Sequence, residues 1–375
     1  MGAIHRRGFL RGFAVALLGG MIVSAACAAE ASAASERKED AKLMDYLHRA
    51  WQEDLGRDPT LRTRLGIGGR NDEWTPTTDE RDREDAARAK RALVTLHHLV
   101  NLKKLSSERE LDEQVYEEIL QSRIRRVEYR RHTYFFTRNS LDPYLELPQL
   151  LISGHQIRSA QDARDYISQM RGLEVLLKEA VAGTLERARR GIVLPAFNFP
   201  DIARNSRAFA TGRPCDKGPA EQSLWRDFQS KINESPLEQQ ERDQLSGQAR
   251  SIVQDVVCPA YRGFADKFTE LGRGVTRNDG LWSLPGGEGL YRDAIAIHTS
   301  MEVDPSELHH TGLKEVERIE KEIHEVMESH GFHGSIREFF ESMAKDPRYL
   351  LPQTDAGRAT YLAAVQKVID RVKQR

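Results

Sequence analysis

Apolar residues recur at three- and four-residue intervals over most of this chain, the period of helices that bury one face. Leu43, Tyr46, Leu47, Ala50 and Trp51 fall on one face of an opening helix, which ends near Gly56 before Asp58-Pro59 begins a short second one. A loop over 66–76 follows. Thr78-x-x-Arg81 then opens a charged segment in which Ala89, Ala92, Leu93, Leu96, Leu99 and Val100 keep the spacing to about Leu105. The next helix starts at Ser107 and continues through Leu111, Val115, Ile119, Ile124 and Val127. So short a connection predicts an antiparallel hairpin.

Proline and glycine divide the remainder. A stretch rich in proline and aromatic residues over 135–148 precedes a long helix with Ala160 near its start and Arg190 near its end, where Gly191 stops it and Leu194-Pro195 restarts the chain. Residues 211–219 read as a loop, and 220–232 and 236–271 as helices, the second kinked or broken at Pro259. No segment reads as a strand, and there is no fixed-period repeat. The expectation is an all-α fold: an elongated multi-helix assembly in which 38–375 form a single helical domain.

The first residues have a different pattern. Arg6 and Arg7 precede Gly8-Phe9-Leu10-Arg11 and an apolar run over 13–23, the order of a signal peptide. The spacing resembles the twin-arginine export signal. The run is shorter than the ~20 residues of a membrane span and contains Gly19-Gly20. Small residues around Ala25 to Ala33 offer cleavage sites, giving a leader over 1–29, a flexible mature N-terminus over 30–37 and a periplasmic destination. The alternative is a lipoprotein anchored through Cys27, although Ser24 stands three positions earlier, where such signals carry Leu.

Composition narrows the functional classes. Across 375 residues, charged residues make up 30% and hydrophobic ones 39%, and no segment after the leader is apolar enough to span a membrane. Formal net charge is −1, and the basic runs in 123–131 and 187–190 are interleaved with acidic residues at helical spacings, so no nucleic-acid partner is expected. Apart from Cys27 the cysteines are Cys215 and Cys258. The sequence leaves open whether they form a disulfide or stay as free thiols.

The most distinctive segment runs Leu284-Pro285-Gly286-Gly287-Glu288-Gly289-Leu290-Tyr291, then His298-Thr299 and Asp304-Pro305-Ser306-Glu307-Leu308-His309. Gly312-Leu313-Lys314-Glu315-Val316, Phe339-Phe340 and Asp346-Pro347-Arg348-Tyr349 follow. Together with Asp58-Pro59, Leu65-Gly66, Gly191, Leu194-Pro195 and Pro259-Ala260-Tyr261, this succession resembles the bacterial domain of unknown function 885 family over most of the mature chain. Members of that family resemble helical zinc peptidases of the gluzincin type and carry a helix with His-Glu-x-x-Pro-Gly-His-His, in which histidines four apart bind zinc and Glu activates the metal-bound water. That motif is absent from these 375 residues. The resemblance therefore implies the N-terminal, scaffold and substrate-cleft part of such a fold, cut off before the zinc helix and inactive alone. Zinc and a peptide-like substrate are expected for full-length relatives, and a separately encoded C-terminal half is a candidate partner. The competing expectation is a stand-alone periplasmic helical binding module.

No catalytic or metal-ligating set can be assembled from spacing. His324-Glu325 begins like His-Glu-x-x-His but has Glu328 in place of the second histidine, and His330 faces about 240° away on a helix of ~3.6 residues per turn. His309-His310 and His330 with His333 read as surface or capping residues, and adjacent His97-His98 point in different directions. Gly287, Tyr291 and His298 remain as candidate cleft-lining residues, since a Pro-Gly-Gly turn before a helix gathers backbone donors and polar side chains. One test follows from the leader. Replacing Arg6 and Arg7 by lysine should leave unprocessed precursor in the cytoplasm, read by fractionation; normal export would instead indicate the general secretory route.

Overall fold

A computed structural model describes residues 34–69, 71–135, 145–276 and 279–374. The leader residues Arg6, Arg7 and Cys27 lie outside them. Among the described residues every regular element is helical, and the sole bridge pairs Arg213 with Glu221.

The opening helix α1 spans 34–57, so 34–37, expected to be flexible, already belong to it. Ala34, Glu36, Arg37 and Lys38 are strong helix formers, which outweighs their polarity. Of the apolar face foreseen there, Leu43 and Tyr46 are buried, whereas Trp51 remains 43% exposed. Asp58 caps α2 (Pro59–Leu65), and Thr78 caps α3 (Asp79–Leu99) by accepting from Arg81 N at 3.2 Å. α3 stops at extended Val100, short of Leu105. The backbone there turns to donate Asn101 N to Glu39 of α1 at 2.9 Å, and a 3₁₀ turn over Leu102–Lys104 leads to α4 (Ser107–His132). α3 and α4 pack as the expected hairpin.

Helix α5 (Glu146–Gly154) arises where the proline-rich stretch suggests none. Pro148 is tolerated because it occupies the first turn, whose N–H groups have no intrahelical acceptor. α6 (Ala160–Arg189), capped by Ser159, is followed by α7 (Asn198–Phe209) and α8 (Ser223–Glu234). The segment expected as one kinked helix is α9 (Gln239–Ile252) and α10 (Cys258–Leu271) joined by a π turn over Val253–Val257. Pro259 accounts for it: a proline ring crowds the carbonyl four residues back, and the wider turn makes room.

Along α6, Tyr166, Met170, Leu173, Leu177, Ala180, Thr184 and Arg187 are buried at three- and four-residue steps. They form the spine of the main core, covered by α5, α9 and α10 and continued by Phe228 of α8 and Phe268 of α10. A separate small core of Leu43, Tyr46, Leu96 and Val100 holds α1 against α3 and α4.

Polar groups fasten the chain to α6. Gln169 is fully buried: its amide donates to Thr63 Oγ1 at 2.9 Å and Glu73 O at 3.0 Å, and its Oε1 meets His155 Nδ1 at 2.9 Å. Trp74 Nε1 donates to the Gln169 carbonyl at 2.7 Å. Arg187, 1% exposed, donates to both oxygens of Asp79 at 2.6 and 3.2 Å and to Arg130 O at 3.1 Å, with Phe135 4.9 Å away under its guanidinium. Cys215 and Cys258 are joined as a disulfide with Cα atoms 5.8 Å apart, tying the 211–219 loop to the start of α10.

Where the sequence reading has one domain over 38–375, the chain divides into two compact units, Met1–Ile297 and His298–Arg375. The division falls inside α11 (Gly287–Thr299). In the second unit α12 (Pro305–Ser329), capped by Asp304, contacts α13 (Ile336–Met343), and α14 (Asp355–Lys373) follows. Phe339 of α13 packs edge-on against Phe332 at 5.3 Å, and Ser335 with Glu338 forms a capping box.

Two tests follow from these ties. Asp79→Asn should leave a buried guanidinium uncompensated and cost about 3–5 kcal/mol in urea unfolding. Burial alone would raise the Asp79 carboxyl, but the hydrogen bonds and charge of Arg187 outweigh it and hold it below its ordinary value. Its stabilisation is therefore full above the unfolded value of about 3.9, is lost as pH falls through the lower folded value, and should be missing from the acid limb of Asp79→Asn. Cys215→Ser, which opens a bridge spanning 43 residues, should cost about 2–4 kcal/mol in the same assay.

Candidate functional site

The α3–α4 hairpin brings chemistry together that spacing does not reveal. Glu113 and Glu117 lie four residues apart, hence on one face of α4, and His97 reaches them from the last turn of α3. His97 Nε2 lies 3.0 Å from Glu117 Oε2, and one ligating atom from each of His97, Glu113 and Glu117 lies within 4.8 Å of the others. Gln121 donates to the second Glu117 oxygen at 2.8 Å. Glu113 is 5% exposed, and its Oε1 is buried without a hydrogen-bond partner. Burial, followed by the hydrogen bond and charge of Glu117, pushes the Glu113 carboxyl up; the hydrogen bond with His97 draws that of Glu117 down.

A cavity of about 430 Å³ opens between α1, α3 and α4. Its walls include Tyr46, Arg49, Glu53, Arg88, Arg91 and Tyr116. Tyr46 donates to Ala92 O at 2.8 Å and meets the Tyr116 ring edge-on at 6.0 Å. Burial, reinforced by Tyr116, pushes the Tyr46 phenol up to about 12. Arg88 is engaged by Asp54, which Arg123 also contacts at 2.8 Å, and Arg49 by Asp45 at 2.8 Å. The Arg91 guanidinium has no such partner among the described residues. The walls thus offer one cation without an ion-pair partner, Arg91, among aromatic and apolar groups, a setting for an anionic, partly apolar ligand that must also pass the carboxylate of Glu53.

The candidate cleft residues lie on α11. Gly287 is buried at its first position, where an added Cβ would fall 1.8 Å from Leu281 O, and Gly286 before it has φ 71°. The turn therefore requires glycine for close backbone approach. Tyr291 and His298 are both exposed. His324 and Glu328 are exposed on α12, where no group of three ligating side chains forms among the described residues. His330 closes the same helix, its Nδ1 2.9 Å from Val326 O, and His310 Nδ1 lies 2.7 Å from Ser306 O.

The comparisons with known proteins bear on this arrangement. Residues 59–375 match the family described as Bacterial protein of unknown function (DUF885). This chain belongs to that family. No curated protein sequence matches it. The crystal structure of the "putative lipoprotein" from Colwellia psychrerythraea is similar in fold, with a TM-score of 0.71 at 18% identity over 91% of this chain. This chain spans 59% of the length of that one.

Proposed function

We propose that this DUF885 chain is an exported protein that forms the helical scaffold and substrate-cleft portion of a gluzincin-like zinc peptidase fold, and that it hydrolyses no peptide alone. The observation that carries the reading is the unpartnered apolar surface of the second unit. Tyr361, Leu362, Val365, Val368, Ile369 and Val372 of α14 are 36–69% exposed, and Leu313, Val316 and Ile319 repeat the pattern on α12. Stripes of this length in water mark a surface meant to be covered. In this reading their cover is a further helical portion bearing the zinc motif, consistent with a related fold whose chain extends well beyond the matched part. A catalytic zinc keeps about three protein ligands and an open position. The His-Glu-x-x-His helix that supplies two of them and the general base is not among these residues. Gly287, Tyr291 and His298 are assigned to the wall of the peptide cleft. Export rests on the leader and on the lipoprotein description of the related structure, with anchoring through Cys27 as the alternative.

The cavity beside Tyr46, Tyr116 and Arg91 favours a second reading, a stand-alone periplasmic module that binds an anionic ligand without catalysis. Both readings predict an inactive chain, and the apolar surface separates them. The mature chain with added zinc should leave quenched-fluorescence peptides intact; metal-dependent turnover would overturn both. Leu362→Glu with Val368→Glu should leave stability within about ±0.5 kcal/mol and lower the fluorescence of a bound hydrophobic dye, as for residues exposed in the chain alone. A loss of several kcal/mol would mean that the face is already covered, which would overturn the scaffold reading.

A further inference from the structure

We propose that His97, Glu113 and Glu117 form a binding site for a divalent transition metal that fastens α3 to α4. This site lies in the hairpin and does not depend on the peptidase reading. Its three ligands come from two antiparallel helices: the carboxylates share a face of α4, and the imidazole projects from the end of α3. Protein oxygens and nitrogens lie ~2.0–2.2 Å from zinc, so ligands in tetrahedral array are roughly 3.4 Å apart. The three side chains are within 4.8 Å of one another at present, and His97 and Glu117 are already at 3.0 Å. What remains to reach that spacing is at most about 1.4 Å, a shift of the size that glutamate side-chain torsions provide.

The second observation is the buried Oε1 of Glu113. A carboxylate oxygen removed from water and given no donor is costly, and native structures rarely leave one so. A surface ion pair of His97 with Glu117 explains those two residues but leaves Glu113 Oε1 unmet; a cation between the three satisfies all of them. The ligand set also selects the metal. One imidazole with two carboxylates suits zinc, manganese or cobalt, whereas calcium and magnesium are held by oxygen alone. Gln121, bonded to the outer oxygen of Glu117, holds that carboxylate in orientation, as outer partners of metal ligands do. The 46% exposed side chain of His97 leaves the fourth position open to water.

The test uses the mature chain, stripped of metal and titrated with zinc by calorimetry, with cobalt as a spectroscopic probe. One equivalent should bind, and His97→Ala, Glu113→Gln and Glu117→Gln should each weaken it at least about 100-fold, the upper end of the range seen for outer partners alone. Zinc should raise the Tm of the parent chain and leave that of Glu117→Gln unmoved. That variant is partly exposed and should fold even if Glu113→Gln does not. His324→Ala should bind like the parent. Absence of one tight equivalent, or tight binding that survives all three ligand substitutions, overturns the site. Loss of binding in His324→Ala alone would place the metal on α12 instead.

Discussion

The first unit depends on one buried charge. Arg187 carries a guanidinium into the interior near the end of α6, and a cation there persists only if every element that can neutralise it is held in place. Asp79 supplies the charge from the first residue of α3, and Arg130 supplies a carbonyl from the last turn of α4. The start of α3 and the end of α4, which lie together at the open end of the hairpin, are thereby fixed to the spine of the main core. Gln169 does the same for the 59–75 segment about five turns nearer the N-terminus of α6, with hydrogen bonds in place of charge. These polar ties set the positions of α2 and α3, while apolar burial along α6 supplies most of the driving force.

Fixing one end of the hairpin leaves its other end for chemistry. Away from the main core, α3 and α4 pack with α1 around a small core of Leu43, Tyr46, Leu96 and Val100, flanked by Leu47, Leu102, Leu105 and Tyr116. So thin a core cannot fill the space between three long helices. The gap that remains is the cavity beside Tyr46 and Tyr116, and the same spacing sets His97 against Glu113 and Glu117. The second unit buries less: apart from Met327, Phe339 and Gly357, few of its side chains are withdrawn from water, and its long helices display apolar stripes.

Much of the fold was legible in the sequence. The 3.6-residue period, the Thr78 cap, the Gly191 stop and the short link before Ser107 gave α3, α4 and α6 nearly to their ends, because helix signals are local. The misses share a cause. α5 forms across Pro148 and α3 ends early at Val100, and in each the outcome depends on packing or on a hydrogen bond from a distant element, as Glu39 provides for Asn101. Trp51 has the right spacing for a core yet is 43% exposed.

By itself, the sequence determined an all-helical chain, its main breaks and its family, since each is written in neighbouring residues. Only the tertiary structure decided which side chains meet. Cys215 reaches Cys258 because the 211–219 loop folds back on α10, and no spacing states that. His97 stood beside His98 as an unpromising pair, and the Glu113-x-x-x-Glu117 repeat looked like one charged turn among many. Their convergence depends on the register of two antiparallel helices, which is set by burial on their far sides and by Asp79 at the other end of the hairpin, and register is a property of packing that local sequence does not carry.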